Sequence, residues 1–227
     1  MPNPPTPNPA AAKPLRRPTV VPFIARWSAE DQAPRPQVVE RKGRIAFVHE
    51  RRYDRDAHGV LWDRVPFQPG KGVPQFGRLH PLRQRNAMEL LLCHVCGDPA
   101  DRDPDGVLWL LAEALDPAAG PGPGGIVTEH PPVCLPCAHI AVRECPRLRA
   151  GFTAVRVRAV EQAGVCGALY RPGSPRPVPV DAVSVTFDNP AIGWVRAGKL
   201  LLRLTDYRLV DLGHKETRPS KPLSKPI

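Results

Sequence analysis

Two C-x2-C pairs, Cys93/Cys96 and Cys134/Cys137, constrain this chain more than any other feature of its sequence. Two cysteines separated by two residues can turn both sulfurs toward one ion. Two such pairs complete a tetrahedral four-thiolate site. A site filled by protein at all four corners is structural, because no position is left for substrate. The 37 residues between the pairs exceed the ~15 to 20 of the simplest zinc patterns, so the chain between them must carry structure of its own. Cys145 and Cys166 have no paired spacing and are expected to be ordinary core residues. His94, His130 and His139 crowd the same stretch, and each is an alternative ligand.

The ion follows from the expected compartment. No basic segment followed by an apolar run opens the chain, and no stretch approaches 18 apolar residues, so neither a secretory signal nor a spanning helix is expected. A cytoplasmic protein keeps its thiols reduced. Structural Zn2+ is then the expected cofactor, with no disulfides.

Charge bears on the partner. The net charge is +10, and of the 32 cationic residues 25 are Arg and 7 are Lys. The guanidinium fork suits phosphate and carboxylate, which favours an acidic partner such as DNA. A GC-rich genome produces the same Arg excess without selection on binding. The candidate partner-facing cations are Arg83, Arg85, Arg143 and Arg147, which lie on expected helices flanking the two cysteine pairs.

Proline marks the ends. Of 31 prolines, seven lie in residues 1–19, which read as a disordered basic arm, and residues 213–227 read as a second basic tail. Residues 20–81 read as a β-hairpin segment, with alternation over 44–50 and 59–65 forming the hairpin and 70–77 a glycine-rich loop. Residues 82–150 form the four-cysteine module. Within it, a helix is expected at 82–92, strands at 106–111 and 126–128, an irregular excursion at 116–125, and a helix at 137–148. Residues 151–212 form a small α+β segment, with strands at 154–160 and 182–187. A helix begins at Pro190 behind an Asp188 or Asn189 cap and carries Ile192, Val195, Leu200 and Leu204, and a last strand runs over 207–212.

One internal echo is visible. Asp54-Arg-Asp-Ala-His-Gly-Val-Leu-Trp62 recurs 47 residues later as Asp101-Arg-Asp-Pro-Asp-Gly-Val-Leu-Trp109. The second copy resembles the start of a calcium loop, but the twelfth position is Ala112 where a bidentate Glu is required. A polar turn leading into a strand explains both copies.

The order knuckle, hairpin, knuckle, helix over residues 92–148 resembles the treble-clef zinc folds. That resemblance implies an α+β protein built on a treble-clef-like zinc module. Treble clefs include His-Asn-His nucleases, the enzymatic alternative. Here Glu129-His130 lies close before Cys134, no Asn occurs between Cys96 and Cys145, and His139 stands alone, so that motif is not matched. No Ser-His-Asp order, Walker loop or Rossmann glycine pattern is present either, so no catalytic residue and no small-molecule substrate are assigned.

The stretches 21–28, 58–62, 92–97, 105–109 and 131–138 together resemble a family of uncharacterised actinobacterial and actinophage four-cysteine proteins. A looser association is with the recombination directionality factors that actinophages use to redirect serine integrases. The first resemblance carries little function, because that family is unassigned. The second implies a protein that acts by binding the integrase, a DNA-bound recombinase, and needs no active site.

Overall fold

The computed structural model describes residues 18–112 and 124–213. The expected arms lie outside them except at their inner ends, and the excursion expected at 116–125 lies almost wholly outside. Thr19 belongs to the folded part: its backbone N–H donates to Glu144 Oε2 at 2.7 Å, and its hydroxyl bonds the same carboxylate. Among the described residues no helix is long and apolar enough to cross a membrane.

The elements run β1 (Ala25–Trp27), β2 (Val38–Arg41), β3 (Arg44–Phe47), β4 (Leu61–Trp62), β5 (Pro74–Leu79), α1 (Pro81–Glu89), β6 (Arg102–Asp103), β7 (Gly106–Leu111) and β8 (Ile126–Thr128). They continue with α2 (Leu135–Glu144), α3 (Pro146–Arg149), β9 (Thr153–Arg171), β10 (Val178–Thr186) and β11 (Val195–Leu209). The expected mixture of helix and strand is present, weighted toward strand.

A seven-stranded sheet organises the rest. Its spine is the antiparallel pair β9 and β11. Along the free edge of β9, β7 covers the first half and β10 the second. Along the free edge of β11, β4 adds in parallel at Arg196 and Ala197, and β8 adds antiparallel at Leu202 to Leu204. Between those two short strands the edge is completed by a side chain. Gln84 of α1 accepts from the Leu200 N–H at 2.9 Å and donates to the Leu200 carbonyl at 3.0 Å, so its amide stands in for a strand's peptide group.

The run Val-Leu-Trp-Leu-Leu of β7 is buried at every position, which a strand shows when both sheet faces are covered. Val107, Trp109 and Leu111 enter one core with Met88 of α1, Val155, Val157, Leu200 and Leu202. Leu108 and Leu110 enter a second core with Cys93, Cys137, Val133 and Ala141. The cysteine module is therefore packed on one face of the sheet and α1 on the other.

The repeated nine-residue stretch has a structural counterpart. In the first copy Asp56 Oδ1 accepts from the His58 N–H, and in the second Asp103 Oδ1 accepts from the equivalent Asp105 N–H, both at 2.9 Å. Each copy then turns at a positive-φ glycine, Gly59 or Gly106, and enters a strand whose Val and Trp reach the same core. Gly106 is required twice over, since a Cβ there would lie 2.1 Å from the Val157 carbonyl oxygen.

Four sequence expectations are corrected. The helix placed over Ile192, Val195, Leu200 and Leu204 is a 3-10 turn, Pro190–Trp194, followed by β11. The Asn189 cap is real, its side chain accepting from Ala191 N–H at 2.8 Å. Helical spacing was mimicked because Gly198 is an extra residue between the Ala197↔Gly167 and Lys199↔Cys166 pairs, so the buried face steps from 197 to 200. The hairpin of 44–50 with 59–65 does not form: β3 pairs β2 through Lys42-Gly43, both at positive φ, which suits a two-residue hairpin turn. The loop of 70–77 ends in strand β5, whose partner is β1. The strands at 106–111 and 126–128 also do not form a hairpin with each other, since β7 pairs with β6 and β9 while β8 pairs with β11.

Candidate metal centre

The first cysteine pair follows the end of α1. Leu91 takes a left-handed φ of 51°, which stops the helix, and the chain then folds into a tight knuckle. The Cys93 N–H donates to the Asp98 carbonyl at 2.7 Å, and the Gly97 N–H returns to the Cys93 carbonyl at 2.8 Å. Gly97 has φ +82° and faces the Phe23 ring, which a Cβ would approach to 2.9 Å. The stretch around Phe23 docks here, its N–H donating to the Val95 carbonyl at 2.8 Å.

The second pair sits at the start of α2. Cys134 is its N-cap residue, Pro136 lies in the first turn where its missing N–H costs nothing, and Cys137 follows in that turn. Two backbone bonds bring this segment to the first knuckle and to the sheet: His94 N–H to the Pro132 carbonyl and Val133 N–H to the Leu108 carbonyl, each at 3.0 Å.

All four sulfurs lie within 4.8 Å of one another, and Cys96 Sγ is 3.8 Å from Cys134 Sγ. Zn–S bonds of ~2.3 Å in a tetrahedron put sulfurs ~3.8 Å apart, whereas a disulfide would need ~2.05 Å. The spacing therefore fits a shared ion and no covalent bridge. Cys93 is fully buried and Cys137 nearly so, while Cys96 and Cys134 are half-buried.

The protonation of the set points the same way. The thiols of Cys134 and Cys137 donate to Cys93 and hold it far below an ordinary thiol, while burial pushes Cys96 up to about 12. Hydrogen bonding to Cys134 and Cys93 holds Cys137 high as well. A soft divalent ion would release the remaining protons and satisfy all four sulfurs.

The four predicted ligands are thus brought together. His94 is engaged elsewhere, its Nδ1 lying 3.1 Å and 3.2 Å from the Pro131 and Pro132 carbonyls. His130 is depressed by burial, which keeps it neutral, and neither it nor His139 belongs to the converging set. Cys145 closes α2 and packs half-buried against the second core, and Cys166 lies in β9. Serine at Cys145 or Cys166 is expected to leave metal content unchanged. Stoichiometric metal loss from Cys145→Ser, by elemental analysis, would overturn the ligand set.

The arginine candidates divide. Arg83 is 1% exposed and forms a two-bond ion pair with Glu30 at 2.7 Å and 2.8 Å, so it cannot face a phosphate; this corrects the sequence expectation. The physical reason is distant, because Glu30 is supplied from 53 residues upstream. Arg85 pairs with Glu89 at 2.9 Å and lies over the Trp62 ring. Arg143 and Arg147 are exposed, on α2 and α3 respectively. What the sequence did not reveal is the buried cluster of Glu30, His80 and Arg83, because nothing local distinguishes a buried Arg from a surface one.

Comparison with protein-family models, curated proteins and solved structures finds no match to this chain.

Proposed function

We propose that this chain is a non-enzymatic, zinc-structured interaction protein that binds DNA or a DNA-bound protein. The observation that carries the zinc assignment is the closed four-thiol set at tetrahedral spacing, buried against the sheet. Zinc at such a site supplies rigidity, tying the knuckle that follows α1 to the start of α2 through Cys93, Cys96, Cys134 and Cys137. The partner assignment is supported by the net charge of +10 and by the exposed Arg143 and Arg147, which lie on the adjoining helices α2 and α3. The looser association with actinophage recombination directionality factors makes a recombinase the DNA-bound partner to try first.

Gel-shift titration of a DNA duplex at two salt concentrations, with and without the recombinase, tests this reading. If DNA is bound directly, each phosphate contact contributes ~0.9 to the log–log salt slope, so Ala at both Arg143 and Arg147 flattens it by ~2. If the recombinase is the partner, naked DNA binds weakly and the same changes reduce capture of the recombinase. Binding to neither, with turnover of a small substrate, overturns the proposal.

A further inference from the structure

We propose that the cleft beside the β2–β3 hairpin takes a single nucleic-acid strand, with a base stacked on Tyr53 and phosphates held by Arg35 and Arg51. This rests on the nucleic-acid reading above and adds a site and a ligand class to it. The cleft has a volume of about 800 Å³. Among the described residues that line it there are three arginines, Arg35, Arg51 and Arg64, and no carboxylate. Pro36 and Pro66 form part of its apolar wall.

Two acids adjacent in sequence to the lining residues are already neutralised. Asp54 is buried and paired with Arg64, and Glu50 is paired with Arg55 at 2.7 Å. Arg35 is exposed and makes no hydrogen bond or ion pair among the described residues, and the Arg51 guanidinium pairs with no carboxylate: it donates to the Tyr53 hydroxyl at 3.0 Å and lies 5.9 Å from the centre of that ring. Two unneutralised guanidinium groups facing one cleft are matched by an anion.

The aromatic group narrows the anion to one with rings. Tyr53 is 69% exposed, an unusual setting for so large an aromatic surface. It is not a loose side chain on a loose loop. The 3-10 turn Arg52–Asp54 carries it, the Arg51 N–H donates to Asp54 Oδ2 at 2.6 Å, and Arg64, which itself lies over the Phe47 ring, pairs with the same carboxylate. A rigid turn thus presents an aromatic face next to cations, over an apolar wall. That combination suits unstacked bases and their phosphates, whereas the bases of a duplex are stacked on one another and not free to meet Tyr53.

The test is fluorescence anisotropy of the full chain with a labelled 20-nucleotide single strand and with the matching duplex, over a salt series. The single strand is expected to bind more tightly than the duplex. Tyr53→Ala should weaken strand binding about tenfold, while Tyr53→Phe retains it, because stacking needs the ring and not the hydroxyl. Ala at both Arg35 and Arg51 should lower the salt slope by ~1.4, at ~0.7 per single-strand phosphate. All these positions are exposed, so folding is expected to be preserved and is checked by the same thermal transition as wild type. Strand binding that survives Tyr53→Ala and the double Arg change overturns the cleft while leaving the DNA reading intact. Equal displacement of the strand by polyglutamate, with no dependence on Tyr53, overturns it in favour of an acidic-peptide surface. Wild-type protein that binds neither strand nor duplex overturns the cleft and direct DNA binding together, and leaves a DNA-bound protein as the partner.

Discussion

Serine at Cys93 or Cys134 is expected to abolish metal binding and the folded yield together. Purified, reduced wild-type protein should carry about one zinc per chain by elemental analysis, one ion per four-thiolate site. The apparent binding free energy of structural zinc sites, ~10–16 kcal/mol, is as large as the whole stability of a typical domain. Loss of one thiolate therefore removes an interaction that the remaining contacts cannot replace. Cys93 is the more damaging position, because it is fully buried in the core that also contains Leu108, Val133 and Cys137. Chelation should have the same effect as substitution, seen as loss of the cooperative thermal transition. Folded wild-type protein with less than about a tenth of an equivalent of zinc would end the assignment.

Glu30→Ala is expected to destabilise the chain by ~3–5 kcal/mol, lowering Tm by on the order of 10 °C. Arg83 would be left charged and buried, with only the Ala25 carbonyl, at 2.6 Å, to receive it. Replacing both partners with Met should recover much of the loss, because the desolvation cost of the pair disappears with the pair. Acid sensitivity supplies a second readout. Burial alone would raise the Glu30 carboxyl, but the Arg83 guanidinium and the Trp27 and Gln68 N–H groups outweigh it and hold it at about 2. A carboxyl depressed in the folded state contributes stability that is present above its ordinary value of 4.5 and is lost as pH falls toward 2. His80 acts in the same direction: burial depresses it, so the unfolded chain takes up its proton first and stability declines below about 6.5. Urea midpoints at pH 7, 5 and 3 should fall for wild type, and the part of that fall between the last two should shrink in Glu30→Ala. An unchanged pH 7 midpoint would show that the pair contributes nothing net.

Much of the metal centre was legible because its chemistry is local. The spacing within each C-x2-C pair and the glycine after Cys96 act through bonds spanning five residues or fewer, and both are realised in the structure. Strands β7 and β8 were legible for the same reason, with bounds set by Gly106 and by runs of apolar residues. The failures share another cause. Arg83 and Arg143 are the same residue type on short helices, yet one is sealed against Glu30 and the other is exposed.

By itself the sequence determined the elements that depend on neighbours along the chain: the two knuckles, the N-cap of Asn189, the twin Asp-to-Trp turns and the apolar runs that had to be buried. Only the tertiary structure decided which strands pair, that a bulge at Gly198 turns helical spacing into a strand, and that Gln84 completes an edge through Leu200, 116 residues away. The physical reason is that backbone conformation and metal chelation within a short loop are selected by adjacent residues. Strand partners and buried ion pairs are instead selected by competition among distant segments, whose outcome rests on how the whole chain closes around its two cores.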